Sequence, residues 1–135
     1  MLVKWLTLRN NDRMEPETRP TALCPRYHHA VELIGRRWTG AIIRIMLGGT
    51  TRFSDMTQAI PGMSDRMLSE RLKELEAEGI VERSVFAETP VRIEYRVTDK
   101  GRALSDVVES IGAWAEEWLP LDSTLLESVG SRGAG

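Results

Sequence analysis

GMSDRMLSERLKELEAE, residues 62–78, carries a full set of helix signals. Pro61-Gly62 marks a turn, and Ser64 is an N-cap whose hydroxyl can accept from an orphan N–H of the first turn. Met63 outside and Leu68 inside have the spacing of a hydrophobic staple. Leu68, Leu72 and Leu75 recur at helical intervals and form one narrow apolar stripe. At about 100° per residue, Arg66, Ser69, Glu70 and Lys73 fall on the opposite side. The helix is anchored along one edge and turns a mixed basic and polar face outward. An ordinary amphipathic surface helix shows the same pattern. A helix entered through a tight glycine turn after a short helix is also what a helix-turn-helix lays in the major groove. The flanking sequence separates the two readings.

Downstream the period changes from helical to alternating. Ile80–Phe86 is a β-rich run, Ala87-Glu88-Thr89-Pro90 a tip, and Val91–Thr98 a second run. There Val91, Ile93, Tyr95 and Val97 alternate with Arg92, Glu94, Arg96 and Thr98, which predicts a half-buried strand with the apolar set inward. A hairpin directly after the recognition helix makes a winged helix-turn-helix. Its wing carries Arg92, with Arg83 and Arg96 along the outer edges. Thr98 caps a last long helix, Asp99 to about Leu119. Its stripe of Leu104, Val107, Val108, Ile111, Trp114, Ala115 and Trp118 holds more apolar surface than one small core absorbs. The stripe predicts a dimer seam, the alternative being that it packs back on its own domain.

Upstream, Tyr27–Gly35 reads as a short helix with Ala30, Val31 and Ile34 inward. Arg36-Arg37-Trp38-Thr39 separates it from Gly40–Leu47, apolar nearly all round and therefore a buried central helix. Gly48-Gly49 ends that helix, Thr50–Phe53 is a link able to pair as a small strand, and Ser54–Ile60 is a Ser-capped helix with Met56, Ala59 and Ile60 inward. Gly79 closes the recognition helix as its C′ glycine. The expected fold is mainly α with a small β-hairpin wing and a C-terminal dimerisation helix. Residues 1–23 read as a flexible extension, with Met14 an alternative translation start, 24–119 as the domain, and 120–135 as a flexible tail.

A chain of 135 residues has room for one modest core. The net charge of −2 does not announce a nucleic-acid binder. Its distribution says more: residues 1–53 hold nine Lys/Arg against four Asp/Glu, and residues 99–127 two against seven. The middle holds six against nine, so no basic stripe lies along the recognition helix, which weighs against strong non-specific DNA binding. A single cysteine excludes an internal disulfide framework and suits a reducing compartment. No apolar run approaches the ~20 residues of a membrane span. MLVKWLTL is too short for a signal-peptide core and lacks a small-residue cleavage site. The protein is expected in the cytoplasm, away from membranes.

In order, Cys24-Pro25, Ile34-Gly-Arg-Arg-Trp38-Thr39, Arg52-Phe53, Pro61-Gly-Met-Ser64, Leu68-x-x-Arg71-Leu72-x-x-Leu75, Glu78-Gly-Ile-Val-Glu-Arg83, and Pro90-Val-Arg-Ile-Glu94-Tyr95-x-Val-Thr98-x-x-Gly101-Arg102 are followed by Trp114. This series resembles the HxlR family of bacterial winged-helix transcriptional regulators, relatives of the MarR group, over about residues 24–119. Each piece alone is weak; their order and spacing are specific. Where that family shows Gly-Gly-Lys-Trp, this chain has Gly35-Arg36-Arg37-Trp38, which keeps the basic character. The resemblance implies a homodimer on a pseudo-palindromic operator, here read as a repressor.

Arg66 is the first candidate for base contact, because Arg at the N-terminal end of a recognition helix is the usual reader of guanine. Ser64, Asp65, Ser69, Glu70 and Lys73 share its surroundings, with capping and intrahelical pairing as their plainer roles. Arg71 sits nearer the core, where a structural ion pair is at least as expected as DNA contact. Arg92 and Arg96 on the wing are candidates for the minor groove or phosphates, and Arg36 and Arg37 for phosphates, while Trp38 reads as core. Leu104, Val107, Val108, Ile111, Trp114 and Trp118 are the expected dimer interface. The resemblance also makes Cys24 a candidate redox sensor, since some family members sense oxidants or electrophiles there; a small-molecule or redox effector is the matching partner. A thiolate is needed, and Arg26, His28 and His29 lie close in sequence. With no second cysteine, any disulfide is intermolecular. Cys24-x-x-x-His28-His29 makes a poor metal site on ligand count. No phosphate loop or triad order suggests an enzyme, and no cofactor is expected. The rival function is a winged-helix protein-interaction module without an operator of its own, favoured by the acidic balance.

Overall fold

The computed structural model describes residues 22–133, so nearly all of the expected flexible extension, with the alternative start at Met14, lies outside the described residues. The described residues divide between two compact units, with the boundary between Leu33 and Ile34. Helix α1 (Pro25–Ile34) belongs almost wholly to the first. It starts two residues before the expected Tyr27, with Pro25 in the first turn, where a missing N–H costs nothing. Of its expected inner positions, Ala30 and Val31 are exposed and Ile34 is half-buried.

The second unit is built around α2 (Thr39–Leu47), whose Ile42, Ile43 and Met46 are buried, as expected of a central helix. Trp38 precedes it at φ 75, a left-handed backbone for a bulky residue, and is half-buried rather than core. The link after Gly48-Gly49 does not form the small strand expected of it; it makes one backbone bond toward the hairpin, the Tyr95 N–H donating to the Thr51 carbonyl at 2.8 Å. Helix α3 (Phe53–Ala59) begins one residue earlier than expected. Its N-cap is Arg52, with extended backbone and no side-chain cap, while Ser54 lies inside the first turn and its carbonyl accepts from the Thr57 hydroxyl. Met56 and Ile60 are buried; Ala59 is exposed.

Helix α4 (Asp65–Ala77) follows its local signals closely. The Ser64 hydroxyl accepts from the Met67 N–H at 3.1 Å, and Met63 and Leu68 are both buried, as the staple requires. Leu72 and Leu75 complete the buried stripe. At the far end Gly79 adopts φ 76. Its N–H donates to the Glu76 carbonyl and the Ile80 N–H to that of Leu75. This is a Schellman closure with buried Leu75 and Ile80 as its apolar pair.

Strands β1 (Val81–Phe86) and β2 (Arg92–Val97) pair antiparallel from Val81↔Val97 to Phe86↔Arg92. The alternation in β2 is present but its faces differ from expectation. Val91 and Ile93 are exposed, Tyr95 and Val97 only half-buried, and Glu94 is buried. The buried acid is satisfied: it accepts from the Thr51 hydroxyl at 3.4 Å and pairs with Arg96 at 3.3 Å and Arg92 at 3.8 Å.

The expected single C-terminal helix is two, α5 (Asp99–Arg102) and α6 (Ser105–Trp118). Thr98 caps the first as expected, accepting from the Gly101 N–H at 3.1 Å. A Cβ at Gly101 would lie 2.4 Å from the Ile80 carbonyl oxygen and 2.5 Å from Val97. That close approach presses α5 onto the hairpin root, and a tight turn, Leu104 N–H to the Gly101 carbonyl, closes it before α6 begins. The segment read as a flexible tail forms a further helix, α7 (Ser123–Gly133). Asp122 caps it, accepting from the Leu125 N–H at 3.0 Å.

Candidate nucleic-acid interface

Because Leu68, Leu72 and Leu75 bury one edge of α4, its other edge turns outward, and the first turn brings Arg66 out fully, its side chain 90% exposed. Arg66 pairs with Glu70 at 3.3 Å, one helical turn on. An exposed pair of this kind contributes only about 0.3–0.5 kcal/mol, too little to hold the guanidinium against a competing anion. Glu70 and Lys73 are exposed and Ser69 half-buried beside them. Ser64 has its hydroxyl committed to the cap, and Asp65 in the first turn complements the positive end of the helix.

Arg71 is buried, as its place nearer the core suggested. Its Nε donates to the Arg37 carbonyl at 2.9 Å and its Nη1 to Glu74 at 3.1 Å. The same Glu74 oxygen takes Arg36 at 3.3 Å, while the Arg37 guanidinium lies 5.1 Å from the Trp38 ring centroid. Arg36 and Arg37 were expected on phosphates; both are exposed, yet each already has an internal partner. Sequence spacing hides this clamp, because Arg37 and Arg71 are 34 residues apart.

On the wing the register sets Phe86 opposite Arg92, and the guanidinium sits 4.2 Å from the ring centroid. Arg92 also pairs with Glu88 at 3.2 Å and with Glu94 at 3.8 Å, so the wing's foremost candidate is held by its own hairpin. Arg83 and Arg96 are exposed along the outer edge, Arg96 paired with Glu94.

Along α6 the expected seam splits into two stripes. Leu104 and Val108 are half-buried on the side of Gly112, where the Arg44 guanidinium of α2 comes within 4 Å of where a Cβ would stand. Val107, Ile111, Trp114 and Trp118 form the other stripe and are exposed, the two tryptophans 58% and 65%. Cys24 is free and exposed. Among the described residues no three His, Cys, Asp or Glu side chains cluster as metal ligands, and no helix is long and apolar enough to cross a membrane.

Three relatives place this geometry. The regulator YvaP of Bacillus subtilis (strain 168), described as an uncharacterized HTH-type transcriptional regulator, is 52% identical over 97 residues, 72% of this chain and 90% of that protein. The HTH-type transcriptional regulator YodB of the same organism is 45% identical over 105 residues, 78% of this chain and 94% of its own. The reduced form of YodB superposes with a TM-score of 0.66 at 44% identity, over 76% of this chain and all of that one. YodB has also been solved after diamide treatment and with quinone bound. The redox regulator HypR in its oxidized form gives a TM-score of 0.67 at 35% identity, over 73% of this chain and all of that one. The HxlR-like helix-turn-helix family matches residues 33–123, from the end of α1 to the start of α7. The chain belongs to that family of winged helix-turn-helix transcriptional regulators.

Proposed function

We propose that the chain is a homodimeric repressor on a pseudo-palindromic operator, with α4 in the major groove and the wing on the adjacent minor groove or backbone. The observation that carries this is Arg66, extended from the first turn of a helix whose opposite edge is core. Arg there is suited to bidentate contact with guanine, with Ser69 and Lys73 alongside. Two such heads bind half-sites about 34 Å apart when the exposed stripe Val107, Ile111, Trp114, Trp118 is buried between two copies. The acidic surplus of residues 99–127 then lies on the dimer side, where it does not face phosphate. Cys24 supplies the regulatory thiol: it is exposed, and relatives are known in reduced, diamide-treated, quinone-bound and oxidized forms. It lies outside the matched span, so this assignment stands on exposure and on the relatives' chemistry together. A thiol-reactive oxidant or electrophile is the matching effector.

The test is a binding titration on a duplex selected by the protein from random DNA, at fixed salt, reduced and after diamide. Specific binding that weakens on oxidation in wild type but not in Cys24→Ser is expected. Arg66→Ala should lose about 1–3 kcal/mol at the selected site and relax its base preference. No selected sequence at all would leave the rival, a winged-helix protein-interaction module.

A further inference from the structure

A groove of about 470 Å³ runs between the start of α3 and the tip of the wing. Arg52 and Ser54 line one side, Glu88, Thr89, Val91 and Arg92 the other. The two sides are brought together by the Tyr95–Thr51 backbone bond, which runs the link toward the wing tip. When α4 enters a major groove and the wing the neighbouring minor groove, the sugar-phosphate strand dividing those grooves passes between them.

We propose that this groove seats that strand and that Arg52 is its phosphate-binding cation. The inference deepens the operator reading above and rests on its docking geometry. Charge assigns the role to Arg52. Arg92 shares the groove but is engaged by Glu88, by Glu94 and by the Phe86 ring. Arg52 is exposed and has no ion-pair partner among the described residues. The exposed hydroxyl residues Ser54 and Thr89 add donors suited to phosphate oxygens. Val91, 62% exposed at the rim, is an apolar surface of the kind a deoxyribose face covers. Glu88 is the one acid lining the groove; Arg92 neutralises it, which is a reason for Arg92 to be held in place.

A phosphate contact has a signature that base contact lacks: it releases a counterion, so affinity depends on salt. The experiment measures the slope of log K against log salt for the full chain, on the selected duplex and on a scrambled duplex of equal length. Arg52→Gln should lower the slope magnitude by about 0.9 for each phosphate released, hence roughly two per dimer, on both duplexes alike. Arg52→Lys should restore most of it. An unchanged slope in Arg52→Gln would overturn the proposal, as would weaker binding at constant slope. The scrambled duplex keeps the two readings apart. A wild type without sequence preference refutes the operator, while the Arg52 slope on non-specific DNA still decides the seat.

Discussion

Replacing Arg71 by Met tests whether the recognition helix is clamped to the segment entering α2. Methionine keeps the stem and its packing and removes only the guanidinium. One loss is the charged hydrogen bond to the Arg37 carbonyl at 2.9 Å, a class worth about 1.5–3 kcal/mol. The other is the pair with Glu74. Glu74 is about one-third exposed and keeps Arg36 at 3.3 Å, so this loss is discounted to at most about 1 kcal/mol. The Arg37 carbonyl has a further role, because it fixes the peptide plane from which Trp38 takes its φ of 75. Strained backbone of this kind costs about 1–3 kcal/mol and persists only where its surroundings enforce it. Release of that strain offsets part of a summed loss of about 1.5–4 kcal/mol, and the net is about 2 kcal/mol. For a domain of this size that is a fall in Tm of roughly 10 °C. Thermal unfolding followed by circular dichroism measures it, at matched protein concentrations because the Tm of the proposed dimer depends on concentration. A variant within about 2 °C of wild type would show that the clamp holds nothing.

Gly101→Ala should be among the most destabilising single-methyl additions in the chain. Its Cβ meets a backbone oxygen at 2.4 Å that cannot yield without moving the root of β1; a loss of at least about 2 kcal/mol is expected in urea unfolding, and a neutral result would mean α5 is not pressed onto the hairpin. Trp114→Ala should leave the isolated domain folded, since the ring is more than half exposed, yet shift the chain toward monomer in sedimentation velocity; a dimer unchanged at low micromolar concentration would remove α6 from the interface. Ser64→Ala should cost about 1 kcal/mol through the lost cap to Met67, read by the same unfolding experiment.

What was legible in the sequence was local. Ser64, the Met63–Leu68 staple, the leucine stripe and Gly79 act within a few residues of one another, and α4 has its expected start, stripe and closing glycine. The faces of β2 were not legible, because alternation fixes which residues share a face but not which face meets the core. Glu94 is buried only because Thr51, Arg92 and Arg96 converge on it. The division between α5 and α6 depends on Gly101 meeting Ile80, a contact across the hairpin root that no helical periodicity records. Helix α7 does have a local signal, an Asp122 N-cap two residues after Pro120, that the expectation of a flexible tail did not use. In the candidate site, Arg66 projects where its position in the helix suggested, whereas the sequence positions of Arg36, Arg37 and Arg92 carry no sign of the groups that pair with them. Their internal partners decide how much of their charge is free.

The division at Ala103–Leu104 has a mechanical consequence. Fourteen residues of α6 at 1.5 Å each make a strut about 21 Å long. In a dimer joined through these struts, each reading head meets its strut at that short turn and along the Leu104, Val108 and Gly112 side that faces α2, instead of continuing it as one helix. A turn of about 10° there swings a point one strut length away by nearly 4 Å, close to the 3.4 Å between successive base pairs. A deflection that small is enough to take the two heads out of step with a double helix whose pitch is fixed.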